Sequence, residues 1–130
     1  MIFIIFLLVA AAAICNATMD VSMFHYHKSI FTRFNNAKWW NGEHSWRNKY
    51  NGGNPEWGRN DKPIWFTDAF HFFKSGMIVC LCLAITLSLG TCAYYNWWGK
   101  LIVFGMLGLT WNLTFNVFYH HILRHYDEAE

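Results

Sequence analysis

The chain has 130 residues and a formal net charge of +2 at pH 7, and its composition is 55% hydrophobic and only 14% charged. Ordinary soluble domains carry charge on about a quarter of their residues, so this composition is too apolar for an ordinary soluble domain. The net charge is small and scattered along the chain, which gives no support to nucleic-acid binding. Twelve Phe, eight Trp and six Tyr residues are instead typical of aromatic belts at two membrane interfaces.

Residues 1–17 form an apolar run without Lys or Arg. Cys15 and Ala17 place small residues at the two positions that signal peptidase reads, which favours a secretory signal. The missing cation argues against a signal, and about 17 residues is the lower limit for a membrane helix. The sequence predicts an N-terminal apolar helix or signal-like segment, and leaves its cleavage open.

Residues 18–34 intersperse aromatic rings with cationic side chains. At helical spacing, Phe24, His27, Phe31 and Phe34 lie on one stripe. The pattern predicts an amphipathic helix in the headgroup region, with its rings toward the lipid and its cations toward water.

Residues 35–66 combine turn-forming Asn and Gly residues with large rings. A flexible linker carries few rings, so the sequence predicts an ordered, aromatic-rich loop of the kind that carries function. The candidate partner-binding residues are Trp39, Trp40, Trp46, Arg47, Tyr50 and Trp57.

Residues 67–124 predict a transmembrane helical hairpin. Neither residues 75–95 nor residues 101–119 contain a charge, and each run is long enough to cross a hydrocarbon core of about 30 Å. We expect Thr67 to cap the first helix. Gly105 and Gly108 permit a close approach of helices, either within the hairpin or between copies in a homo-oligomer. Residues 125–130 are expected to form a polar tail.

Polar residues gather at the open end of this hairpin. Asp68 and His71 share one helix face, and the turn brings His120 to about their depth. They could simply hydrogen-bond to one another. With His25 they could also bind zinc, iron or haem, because carboxylate and imidazole are suitable ligands. A third interpretation is a membrane-surface enzyme in which Asp68 orients His71 as a general base.

Charge leaves the orientation open. Eight of the ten Lys and Arg residues lie between Lys28 and Lys74, which favours a cytoplasmic central segment. A cleaved signal would place the same segment outside.

Two boxes carry a resemblance. Ser-Trp-Arg-Asn-Lys-Tyr at residues 45–50 and Thr-Asp-Ala-Phe-His at residues 67–71 follow an apolar segment. In this combination of an apolar segment and two boxes, the chain resembles a group of small uncharacterised bacterial membrane proteins. The resemblance implies a bacterial or phage membrane protein, with the bacterial inner membrane as its expected location, and implies no chemistry.

The sequence therefore predicts an all-α integral membrane protein. Its expected role is a small, non-enzymatic subunit or scaffold that presents residues 35–66 to a partner. The alternative is a metal-binding, haem-binding or catalytic protein centred on Asp68, His71 and His120.

Overall fold

The computed structural model describes residues 1–125, and within them it is helical. Its long helices are α1 (Ile2–Phe24), α4 (Ala69–Cys92) and α5 (Trp97–Asn116), the last continued by a π-helical stretch at Val117–Ile122. These three segments are long and apolar enough to cross a membrane. The all-α prediction is thus confirmed for the described residues. The predicted polar tail lies, apart from His125, outside them.

The first helix is longer than predicted, and the predicted interfacial helix over residues 18–34 does not form as one element. Residues 18–24 continue α1, and the chain then makes 3-10 turns at Tyr26–Lys28 and Ile30–Arg33. Thr18 and Ser22 fit inside a helix because their hydroxyls donate to carbonyls of the preceding turn, Ile14 O (2.9 Å) and Met19 O (2.9 Å).

The hairpin helices do not form the tight pair that the sequence predicts. α1 packs against both α4 and α5, which share almost no contact with each other. Ala12, Ala13 and Ala17 are fully buried, and such small side chains let helix backbones approach closely. Gly105 and Gly108, expected in the seam of the pair, have open space where a side chain would extend.

The contacts of α1 define the directions of the three helices. Ile5 and Val9 form a cluster with Ala84, late in α4, whereas Cys15 lies near Gly76, early in α4. α1 and α4 are therefore antiparallel, and α5 runs in the same direction as α1. The end of α1, the start of α4 and the end of α5 consequently meet at one end of the bundle.

A cap, defined as residues 25–67, covers that end of the bundle. It contains two short helices, α2 (Ala37–Trp40) and α3 (Gly42–Ser45). The remaining 3-10 turns are Trp46–Lys49, Asn51–Gly53, Pro55–Trp57 and Ile64–Phe66. The predicted aromatic-rich loop is thus built from successive helical turns.

Stacked rings join the cap to the bundle. Phe31 is buried and stacks on Trp40, with 4.5 Å between ring centroids, and Trp40 in turn contacts Phe73 of α4 at 5.9 Å. Phe31 also belongs to the buried cluster that contains Val21 of α1 and Leu123. The cap therefore packs on all three long helices through one aromatic core.

Candidate functional site

Asp68 forms the N-cap of α4, a role that the sequence assigned to Thr67. Its backbone is extended, and its Oδ1 accepts the backbone N–H of His71 at 2.8 Å. This bond satisfies one of the N–H groups that an α-helix leaves unpaired at its start. The Asp68 side chain is only 1% exposed.

The same carboxylate holds the ring of His71. The Nδ1 atom of His71 lies 2.9 Å from Oδ1 and 2.8 Å from Oδ2 of Asp68. Because a carboxylate accepts hydrogen bonds, this contact favours the tautomer of His71 that carries a proton on Nδ1. A carboxylate that orients an imidazole in this way is the arrangement of a general base.

A nucleophile beside this pair is not evident in the part of the chain that the structure describes. The Ser75 hydroxyl donates to the backbone carbonyl of His71 at 2.9 Å and not to its ring. Ser45 is buried at the end of α3. Among residues 1–125, no hydroxyl or thiol is recorded in a hydrogen bond with the His71 ring.

The predicted metal ligands are not assembled into one set. His25 and His120 both contact Tyr119, with ring centroids 5.7 Å and 4.9 Å away, whereas Asp68 and His71 pair with each other at the start of α4. Within the described residues, no group of three or more His, Cys, Asp or Glu side chains could hold a metal ion. The prediction assumed that α4 faces α5 directly, but α1 is the packing partner of both.

His25 lies in an electropositive, half-buried position at the end of α1. Burial lowers the pKa of His25 below its ordinary value of 6.5, and the cations of Arg124 and Lys28 lower it further, against an opposing effect from Asp20. Arg124 also lies over the ring of Tyr119, 5.3 Å from its centroid. This surrounding favours the neutral imidazole.

The two boxes of the sequence contact each other in the fold. Asn48, in the first box, donates through its side-chain amide to the carbonyl oxygens of Lys38 (2.7 Å) and of Thr67 (3.0 Å), in the second box. Asn60 in turn donates to the carbonyl oxygen of Asn48 at 2.6 Å. These amides satisfy backbone carbonyls that no regular helix or sheet would satisfy. The boxes therefore act together to fix the cap on the first turn of α4.

An open cleft of about 800 Å³ lies within the cap. Aromatic rings of Trp39, Tyr50 and Phe66 form part of its wall. The remaining lining residues are Asn36, Lys38, His44, Arg47, Asn48, Asn51, Gly52, Gly53, Asn60, Lys62 and Thr67.

The cleft carries charge of one sign. Lys38, Arg47 and Lys62 line it, and no Asp or Glu is among its lining residues in the described chain. All three cations are exposed, and none forms an ion pair within residues 1–125. Of the three, the sequence singled out only Arg47. Lys38 and Lys62 are 24 positions apart, so no local pattern indicates that they share a surface.

The six predicted partner-binding residues differ in their exposure. Trp40 packs inside the cap, and Trp39 is held by a hydrogen bond from its Nε1 to the carbonyl oxygen of Phe66 (3.3 Å). Trp46, Arg47 and Trp57 are exposed, with Trp57 at 64%. Tyr50, the sixth residue, is half-buried, and its ring contacts that of Trp46 edge to face.

Comparison with protein families, with curated proteins and with solved structures finds no match. The resemblance of the two boxes to small bacterial membrane proteins stays a prediction. What this chain does must therefore be inferred from its own residues.

Proposed function

We propose that the protein is a small integral subunit or scaffold of the bacterial inner membrane, and that its cap binds a protein partner. The observation that carries this proposal is an ordered cap with exposed rings. Trp46 and Trp57 project from turns whose backbone is held by asparagine side chains, such as Asn51 donating to Trp57 O at 3.1 Å. Trp is among the side chains most enriched at protein interfaces, and an ordered, exposed Trp loses little conformational entropy on binding.

The charge of the cap supports a cytoplasmic location. Seven of the ten Lys and Arg residues lie in residues 25–67. Short segments rich in Lys and Arg remain in the cytoplasm when they flank membrane helices. Because α1 supplies the packing surface for α4 and α5, we propose that it is retained as a membrane helix and is not a cleaved signal sequence. Without a cleaved signal there is no reason to expect export of the cap, so the distribution of Lys and Arg alone decides its location.

Site-specific photo-crosslinking in cells tests this role. A photoreactive residue at position 46 or 57 is expected to give an adduct with the same protein partner. The control is position 89 of α4, where Leu89 is more exposed than either Trp residue but lies in an apolar span. Trp57→Ala should abolish the adduct formed from position 46. A correctly folded chain that gives no protein adduct from either cap position contradicts the proposal.

The Asp68–His71 pair supports an alternative, a membrane-surface enzyme with His71 as general base. The geometry that favours it is the bond from Nδ1 to the carboxylate, which orients the ring. For this role, His71→Gln is expected to abolish the cellular phenotype while leaving folded protein at normal levels. Loss of the folded protein would favour a structural role for the pair.

Zinc, iron and haem remain a further alternative from the sequence, and the separation of the candidate ligands disfavours it. Elemental analysis and a visible spectrum of the purified protein test it. Stoichiometric metal or a Soret band would support a site whose candidate ligands are Asp68, His71, His120 and His25.

A further inference from the structure

We propose that the cleft of the cap binds the phosphate-bearing headgroup of an anionic membrane lipid. This inference rests on the membrane location in the proposed function, and it assigns to the cleft a ligand other than the protein partner. The exposed Trp46 and Trp57 rings lie outside the residues that line the cleft.

The electrostatics of the cleft select an anion. Lys38, Arg47 and Lys62 place three cations around one open volume of about 800 Å³, without a lining carboxylate in the described residues. An anion in the cleft would be attracted by all three of these cations. Phosphate oxygens suit both types of cation, since Arg donates in a planar fork and Lys as a compact ammonium.

A neutral donor adds to the cations. Asn36 lines the cleft and precedes α2, and its side chain makes no capping hydrogen bond there. Its amide is therefore available to a ligand. The other lining asparagines, Asn48, Asn51 and Asn60, are instead engaged with backbone carbonyls of the cap. They hold the walls of the cleft in position.

The rings of the cleft connect it to the bilayer. Phe66 and Trp39 line it, and both contact Phe72 in the first turn of α4, with ring centroids 6.3 Å and 5.9 Å apart. α4 enters its apolar span at this turn, where aromatic rings mark the membrane interface. Phe66 and Phe72 are both exposed, so they can lie against acyl chains while the cations reach the phosphate.

This layout favours a lipid over a soluble phosphate. A soluble anion needs only the cations, whereas a lipid also uses the ring wall that faces the membrane. The anionic lipids of the cytoplasmic leaflet attract Lys and Arg residues held close to its surface. The proposed cytoplasmic location of the cap would place the cleft against that leaflet.

Native mass spectrometry of the full-length protein in detergent tests the inference, with added phosphatidylglycerol or phosphatidylcholine as the probe. We expect phosphatidylglycerol to bind at least about tenfold more tightly, because each Lys or Arg near an anionic surface contributes several-fold. Lys38→Gln/Lys62→Gln should remove this preference. The matched control is Arg33→Gln/Arg59→Gln, which removes two exposed cations of the cap that do not line the cleft.

Four outcomes would overturn the inference. The first two are equal binding of the two lipids and an equal loss of the phosphatidylglycerol preference in the two double variants. The third is displacement of the lipid by an equal concentration of soluble glycerol phosphate. The fourth is displacement by a glutamate-rich peptide, which would identify an acidic protein segment as the ligand. Thermal melting verifies that the double variant is folded, and Lys62→Gln alone replaces it if it is not. The crosslink from position 57 reports separately on the protein partner.

Discussion

The carboxylate of Asp68 both caps α4 and contacts the ring of His71. Its Oδ1 caps α4 through the His71 backbone N–H, and both of its oxygens lie within 2.9 Å of His71 Nδ1. The hydroxyl oxygen of Thr67 also contacts this carboxylate, at 3.1 Å from Oδ2. The buried carboxylate thus has its hydrogen-bonding capacity satisfied by three neighbouring groups.

Substitution of Asp68 separates its two roles. We expect Asp68→Ala to lower the free energy of unfolding by about 1–3 kcal/mol, because it removes a cap and leaves the His71 Nδ1 proton without its acceptor. Asp68→Asn should cost clearly less, since Asn caps helices as well as Asp does. Unfolding of the detergent-solubilised protein by SDS measures both. Equal losses in the two variants would show that the charge, and not the cap, dominates.

His25 predicts a dependence of stability on pH. Its folded-state pKa is lowered below 6.5 by burial and by Arg124, so the unfolded chain takes up a proton first as the pH falls through 6.5. Proton binding by the unfolded state destabilises the fold, and this loss grows until the pH reaches the lowered folded pKa. We expect melting in detergent to show a smaller loss between pH 7.5 and 5.5 for His25→Gln than for the wild type. An identical loss would contradict this assignment.

At the scale of elements, α3 lies directly on the end of α1. A Cβ atom added to Gly42 would lie 2.7 Å from the Met23 Cα atom and 3.0 Å from the Ser22 carbonyl oxygen. Backbone atoms cannot move aside as a flexible side chain can, so only glycine permits this approach. This close approach of α3 adds to the aromatic core in holding the cap on α1.

Gly42→Ala is expected to lower the free energy of unfolding by about 1–3 kcal/mol, the usual cost of overpacking. Gly90→Ala is the control, because a side chain at Gly90 in α4 would meet open space. SDS titration of the two variants in detergent provides the comparison. A Gly42→Ala protein as stable as the control would contradict the close packing of α3 on α1.

The two apolar spans of the hairpin could be predicted from the sequence, but the pairing of the helices and the full length of α1 could not. Absence of charge over residues 75–95 and 101–119 defines a span, whereas it does not show which face packs. The helix most buried by its neighbours is α1, whose alanines also fit a signal sequence. Ser29 has an extended backbone that separates the two 3-10 turns after α1, and its hydroxyl accepts the backbone N–H of Phe31 at the start of the second turn.

The same division holds for the candidate site. Asp68 and His71 are three residues apart, so local helix geometry predicts their contact. The cleft gathers residues from position 36 to position 67, and its walls depend on long-range amide bonds such as Asn48 to Thr67. Hydropathy and residue spacing contain no information about such bonds.

At the scale of the whole molecule, α5 has a face that residues 1–125 leave uncovered. Gly105, Gly108 and Asn112 are exposed on this face, and the Asn112 amide donates to the Gly108 carbonyl of its own helix at 3.0 Å. A polar amide within an apolar span is more stable against another helix than against lipid, and glycines allow that helix to come close. This face is where we expect a second copy to bind.

Substitution of these glycines tests self-association. Gly105→Leu/Gly108→Leu is expected to convert a dimer to a monomer, because the added side chains separate the two helix backbones. Gly90→Leu in α4 is the control for an added side chain at another uncovered glycine. Mass photometry in nanodiscs measures the oligomeric state. A wild-type monomer, or a dimer that survives the double substitution, would contradict the prediction.

The central position of α1 has a consequence for biogenesis. The ribosome synthesises α1 before either helix that packs on it, so α4 and α5 each emerge when their packing partner has already been made. The cap is made between these events, and its tie from Asn48 to Thr67 can close only once the residues leading into α4 have emerged. The order of translation is therefore also an order of assembly, with the N-terminal helix acting as an intramolecular template.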